Sequence, residues 1–334
     1  MRPVIGRMQV LYPLVVGSQN WNPVDRSPDG FEIRTLQIVD RTGEIKQIKL
    51  GSELNNLSSI TWLPADWHHL YVAIPSQVYR IDLLSKSVRS LDICGLSDVH
   101  EIDFIDGNLW IANTGNDEIV AFDVHAYVVC ERINLRFLHV DSQDGFCDHE
   151  ELEIRDEFHV NQTFNSLDGD LHALVHDVTG SRELSSIRGL NRRLQGSGGV
   201  VDIRRKTVRN LHLKATHTVR IIEGNYWIFD SGRTLLKIFD SQWRLINSIG
   251  TSSFGRGGFY DAESGTYSAG MSVVRKRYQD LIRGAAAFNE VQVFSCTSLQ
   301  EIGRYAIPHV EQLNCINRIG QPMADALIDF SSSG

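Results

Sequence analysis

One phrase recurs along the chain and limits its fold more than any other feature: an apolar, strand-like run closed by Asp. It reads LQIVD at Leu36–Asp40, VYRID at Val78–Asp82, IVAFD at Ile119–Asp123, GVVDI at Gly199–Ile203 and LKIFD at Leu236–Asp240. The steps from Asp40 to Asp82 and on to Asp123 are 42 and 41 residues, and from Asp202 to Asp240 the step is 38. A period near forty, built from strands and turns alone, is the pattern of a β-propeller. Each repeat is one small sheet that buries its faces only against its neighbours, so the sheets close into a ring. Asp106-Gly107-Asn108, Asp168-Gly169-Asp170 and Glu223-Gly224-Asn225 each separate two strand-like runs at the same place in their repeat, where hairpin turns belong.

Counting repeats predicts an all-β, six-bladed propeller. Complete blades start near Ser58, Val99, Phe158, Thr216 and Phe254. The sixth is shared between the chain ends: Val310–Ile319 supplies its inner strand, and LYPLVVGS, FEIRTLQIVD and EIKQIKL supply the other three. Such a blade closes the ring with backbone hydrogen bonds rather than side-chain packing alone. The 79-residue gap from Asp123 to Asp202 is nearly two periods and leaves a seven-bladed ring as the alternative. Two insertions break the period, an acidic one at Val140–Glu157 and a polar, basic one at Thr179–Ser197, and Tyr278–Ala287 reads as a short helix. The propeller occupies 1–320, and the segment 321–334, ending in SSSG, reads as a frayed tail.

A formal net charge of −8 argues against a nucleic-acid partner, which asks for a basic face. The basic stretch Arg188–Arg209 reads as a solvated loop and strand edge. No run approaches a membrane-spanning length, and Tyr12 and Pro13 interrupt the apolar N-terminus, which reads as a strand rather than a signal peptide. Cys94, Cys130, Cys147, Cys296 and Cys315 are odd in number and scattered, unlike a disulfide framework. A cytoplasmic protein without membrane attachment is the expectation.

Propeller chemistry sits on the axis, where each inner strand begins. His100 in VHEIDF, His159 in FHVNQTF and His217 in THTVRII open three consecutive inner strands, 59 and 58 residues apart. Three converging imidazoles suit a divalent metal (Zn, Fe, Mn or Ca) or proton transfer. The alternative is that they are hydrogen-bonded channel residues that stabilise the ring's narrow end. Glu101 is placed as a general base, and Arg256 as the holder of an anion by forked hydrogen bonds. Asn113, Asn161, His176, Asp230, Ser231, Ser272, Arg275 and Glu311 are expected around a small-molecule ligand. Each of these types is also common in turns. Cys147-Asp148-His149-Glu150 and His68-His69 read as solvated surface, and GSGG at Gly196–Gly199 lacks the context of a phosphate loop. Trp110 and Trp227 read as packing between sheets.

The stretch GGVVDIRRKTVRNLHLKATHTVRIIEGNYWIFDSGRTLLKIFD resembles the NHL and SMP-30-like six-bladed propellers. It is closer still to a bacterial family of unknown function that shares FHVN at Phe158–Asn161, a His followed by a lone strand and a WxxDSG turn (His217 to Gly232), and the pair Arg256-Gly257 with Gly270–Ser272. The likeness spans about Phe158–Arg275 and implies the fold but no reaction. At Ala215–Val219 the histidine of that pattern is kept and its flanking prolines are not. SMP-30-like lactonases hold a metal with acidic and amide side chains; Glu101, Asn113, Asn161 and Asp230 are the residues that imitate that set, at a different spacing. Two functions are therefore expected to compete. One is a metal-assisted hydrolase, lyase or isomerase acting on a small polar or anionic molecule. The other is a non-catalytic scaffold that grips a protein partner with its two rim insertions.

Overall fold

The computed structural model describes residues 14–19, 36–40, 44–50, 54, 56–63, 65–139, 156–180, 196–272, 289–307 and 312–331. These residues form six four-stranded antiparallel sheets. Blade 1 runs from Ser59–Thr61 to Ser87–Ser90, blade 2 from Val99–Ile105 to Val128–Asn134, and blade 3 from Val160–Asn165 to Thr207–Leu213. Blade 4 runs from Thr216–Ile222 to Leu245–Gly250, and blade 5 from Phe254–Asp261 to Glu301–Ile307. In blade 6 the inner strand is Gln312–Arg318, paired with Leu14–Gln19, which in turn pairs with Leu36–Val39 and that with Ile45–Ile48. The shared blade is therefore real, and six sheets complete the ring, which rules out the seven-bladed alternative.

The recurring Asp has a local cause. It ends the third strand and accepts backbone N–H groups from the turn that leads to the fourth. Asp82 takes those of Leu84 and Ser85, Asp123 those of His125 and Ala126, and Asp240 those of Gln242 and Arg244. The turn then passes a left-handed residue: Lys86, Tyr127 or Trp243. Blade 5 makes the same turn with Ser295, whose Oγ accepts from Ser298. At the hairpins between first and second strands, φ is positive at both Asp106 and Gly107 and at both Glu223 and Gly224, as a type I′ turn requires.

Six hydrophobic clusters fill the ring, one between each pair of neighbouring blades. Trp110 packs between blades 2 and 3, and Trp227 between blades 4 and 5. Side chains also staple one inner strand to the next. Asn161 Nδ2 donates to Thr216 O, Gln162 Oε1 accepts from Val219 N, Thr218 Oγ1 accepts from Gly257 N, and Asn314 Nδ2 donates to Leu57 O.

The segment after Gly320 does not fray as expected. It forms an α-helix, α1 (Gln321–Ser331), which buries Met323, Ala324 and Leu327 in the cluster between blades 6 and 1. Full burial of a Leu or Met side chain contributes about 1.5–3 kcal/mol, enough to hold the helix down. Ser331 Oγ accepts from Lys49 N, and Asp329 pairs with Lys86. Most of Val140–Glu157 and Thr179–Ser197, and all of Tyr278–Ala287, lie outside the described residues. No helix among the described residues is long and apolar enough to cross a membrane.

Candidate axial site

Five of the six inner strands carry one extra residue at the same level. The pairing register slips between Val99 and Ile102, Val160 and Gln162, His217 and Val219, Gly255 and Gly258, and on the Gln312–Arg318 strand opposite Gly17 and Ser18. Such bulges re-aim side chains. Glu101, Asn161, Thr218, Gly257 and Asn314 occupy these levels, and all five line one axial cavity of about 380 Å³. Thr218 and Gly257 take the left-handed conformation there, with φ of 46° and 65°.

The expected histidines do meet. Ring centroids lie 4.6 Å apart for His100 and His159, and 6.4 Å apart for His100 and His217. His176 joins them, 4.1 Å from His159 and 5.1 Å from His217. The positions are not equivalent, however. Aligned on the bulges, His100 and His217 match, and His159 stands one residue earlier. A strand residue so displaced faces away; His159 has φ of 53°, and that left-handed turn brings its ring back to the axis. Asp117 fixes the turn by accepting the N–H groups of Glu157, Phe158 and His159 at 2.5, 3.0 and 2.9 Å. Burial raises the Asp117 carboxyl to about 6, against those three hydrogen bonds.

On the axis, the residues that converge closely enough for one ion are Asp98, His100 and His159, with ligand atoms within 4.8 Å of one another; Asp66, His68 and His69, away from the cavity, are the other such group among the described residues. A tetrahedral ion asks for ligands roughly 3.4 Å apart at bond lengths of about 2.1 Å, a contraction that the half-exposed Asp98 side chain can supply. The Asp156 carboxylate lies 2.9 and 3.0 Å from His159 Nδ1. It thereby orients the ring and leaves Nε2 as the atom that could ligate an ion, the arrangement that outer partners give metal-bound imidazoles. Asp98 thus stands where His217 was expected. The His217 Nδ1 donates to Ala215 O at 3.0 Å, and its Nε2 is buried with no hydrogen-bond partner. Burial, then the charge of Arg256 and the neighbouring imidazoles, hold His217 well below the usual histidine range. It is a neutral acceptor on the cavity wall.

Arg256 also reaches the cavity. Its Nη1 donates to Asn314 Oδ1 at 2.9 Å, the Gln312 amide oxygen, turned inward, accepts at 2.7 Å, and the guanidinium lies 5.4 Å over the Phe254 ring. Burial lowers its pKa to about 10, so it stays cationic at neutral pH. Among the described residues it forms no ion pair with a carboxylate. Glu101 is placed differently from a free base. Both Arg220 Nη atoms sit 3.1 Å from its Oε1, and Thr218 Oγ1 donates to its Oε2 at 3.3 Å. Burial pushes Glu101 up while Arg220 pulls it down.

Asn161 lines the cavity, with its Oδ1 buried and unbonded. Asn113, Asp230 and Ser231 do not, because the scaffold uses them. Asn113 accepts from Ser97 N and donates to Gly95 O and Glu118 Oε2. Asp230 accepts from Lys214 N and pairs with Arg233 and Lys237. Ser231 donates to Gly255 O at 2.6 Å, stapling blade 4 to blade 5. Ser272 is buried off the cavity, and Arg275 and Glu311 lie outside the described residues. Sequence reasoning missed Asp98, Asp103, Arg220 and Asn314. Asp103 and Arg220 carried one usable signal: charges inside inner-strand runs that otherwise read as buried. His68 and His69 are half-buried, with Asp66 carboxylate oxygens 3.1 and 2.8 Å from their Nδ1 atoms.

No family model matches the chain, and no curated protein matches it in sequence. Solved structures match over most of its length. A chain from a nidogen–laminin complex has 10% identity and a TM-score of 0.56, over 91% of this chain and 97% of that one. A protein of unknown function from Bacteroides caccae has 10% identity and a TM-score of 0.56, over 92% and 98%. A proposed 6-phosphogluconolactonase from Bacteroides fragilis has 12% identity and a TM-score of 0.51, over 89% and 82%. These likenesses establish the propeller fold. They do not show the NHL or SMP-30-like family; only the six-bladed fold that the resemblance implied is shown.

Proposed function

We propose that the chain is an enzyme that uses one divalent metal to act on a small anionic molecule in the axial cavity, in the hydrolase, lyase or isomerase class. The observation that carries this reading is the convergence of Asp98, His100 and His159 beside Arg256, which forms no ion pair with a carboxylate among the described residues. Two imidazoles and one carboxylate leave coordination positions open, as hydrolytic metal sites do. A cation held there supplies Lewis acidity and lowers the pKa of water.

The chain's own groups divide the remaining work. Arg256 holds the anionic group, in a cavity where burial strengthens the attraction. His217 Nε2 accepts a proton or hydrogen bond from the ligand, since its lone pair faces no protein donor. Asn161 and Asn314 orient the ligand from the bulges. Glu101 and Arg220 hold the cavity wall rigid through their ion pair.

The test is metal titration of chelator-treated protein with Zn²⁺ and Co²⁺. One equivalent is expected to bind, with Co²⁺ absorption of a low-coordinate site. The affinity is expected to fall at least a hundredfold in His159→Ala and Asp98→Ala, and less than tenfold in His217→Ala. Sub-stoichiometric binding by the wild type, or equal affinity in the His159 and Asp98 variants, ends the reading.

A further inference from the structure

The axial cavity carries charged groups at two depths that make no direct ion pair among the described residues. At the mouth stands Arg256, level with His100 and His217 in the bulge register. Its hydrogen bonds go to neutral amide oxygens, and its Nε is buried without a partner. Three residues deeper along the blade 2 strand than His100 stands Asp103, also on the cavity wall. Asp103 accepts from Thr61 Oγ1 at 3.3 Å and from the N–H of Phe104 at 2.9 Å. Among the described residues it forms no ion pair. Arg220, across the channel at the same level, is already committed to Glu101, Gly258 O and Val219 O.

Among the described residues the carboxylate that acts on Arg256 at the mouth is the half-exposed Asp98, which attracts it without forming an ion pair; deeper in, Arg220 offsets one of the two carboxylates, Glu101 and Asp103. Burying a charge without a counter-charge is unfavourable. A ligand that brings both missing partners recovers both penalties, and complementary potentials select it over singly charged competitors. Three residues of strand rise, at about 3.3 Å each and less for the bulge, place the two levels roughly 7–10 Å apart. A ligand that meets both groups therefore carries its charges at the two ends of a short chain.

We propose that the cavity takes a dipolar molecule, a short chain with a carboxylate or similar anion held by Arg256 and a primary amine held by Asp103. This rests on the anion-binding role given to Arg256 above and narrows its substrate class. The amine level is independent of the metal ligands, which lie at the mouth.

The probes are 4-aminobutanoate, 5-aminopentanoate and 6-aminohexanoate, each against the matching unsubstituted carboxylate, titrated calorimetrically into the full chain at pH 7. One of the amino acids is expected to bind at least tenfold more tightly than its carboxylate. Asp103→Asn removes that gain and leaves carboxylate binding; Arg256→Gln removes both. If carboxylates bind and none gains from the amine, the dipolar inference falls and the anion site stands. If neither series binds, both fall. The wild-type comparison decides the matter even if a variant fails to fold.

Discussion

Asp117 never touches the cavity, yet His159 depends on it. Three consecutive N–H groups, those of Phe158 and His159 buried, end on its carboxylate, and they hold a left-handed conformation that an L-amino acid adopts only at a cost of roughly 1–2 kcal/mol. Removing the carboxylate leaves those donors unpaired, at about 1–3 kcal/mol for a buried group. Asp117→Ala is therefore expected to lower unfolding free energy by about 2–4 kcal/mol in urea titrations. It is also expected to weaken Zn²⁺ binding, because the freed backbone lets His159 return to the face its register dictates. A purely structural role would lower stability and leave Zn²⁺ affinity unchanged, so the metal titration separates the two. The spacing of His100, His159 and His217 made their meeting legible in the sequence. Their unequal register was not, because a bulge and a left-handed turn leave little trace in residue type. Gly257 is the exception: a Cβ there would lie 2.9 Å from Cys315 Cα, so glycine itself marks the bulge.

The blade is legible because one side chain per repeat does a backbone job. Each repeated Asp closes the turn after its strand, so the period near forty is a period of turn caps. That is also why blade 5 escaped the pattern, with Ser295 substituting for Asp. Asp82 gives a measurable case. Against a push upward from burial, the N–H and hydroxyl of Ser85 and the N–H of Leu84 hold its pKa below the ordinary value. A carboxylate with a lowered native pKa contributes stability above its unfolded pKa and loses it as pH falls through the native value. Asp82→Ala is expected to be less stable than wild type by about 1 kcal/mol at pH 7. The gap should close steadily below about pH 4. A gap that persists at pH 2 would show that the cap acts through packing rather than through its charge. The helix α1 (Gln321–Ser331) was missed for a different reason. Its polar SSSG end suggested fraying, while Pro322 in the first turn and the spacing of Met323 and Leu327 already fitted a short amphipathic helix.

At the scale of the whole ring, stability depends on the seam where the two ends of the sequence pair. Leu14–Gln19 joins the Gln312–Arg318 strand, with Gly17 opposite Cys315, and blade 1 packs against that contact. There is no room at Gly17 for a side chain. A Cβ there collides with Cys315 Sγ and stands 2.9 Å from Ile60 Cδ1. Both neighbours are buried, so neither moves aside freely, and overpacking of this kind typically costs about 1–3 kcal/mol. Gly17→Ala displaces the Cys315 thiol, to which the Gly17 N–H donates, so its effect is steric first and falls on the closure. Cys315→Ala shrinks the obstructing side chain at a modest cavity cost of its own. The double variant is therefore expected to be more stable than the sum of the two single effects predicts, by about 1 kcal/mol. A ring held by its seam should still unfold in one step in all three variants, with coincident fluorescence and circular-dichroism midpoints. Additive losses would place the strain somewhere other than the Gly17–Cys315 contact. Separated midpoints would mean that the blades hold together without the clasp, and the shared blade would then be one sheet among six rather than the element that fixes the axis and the cavity along it.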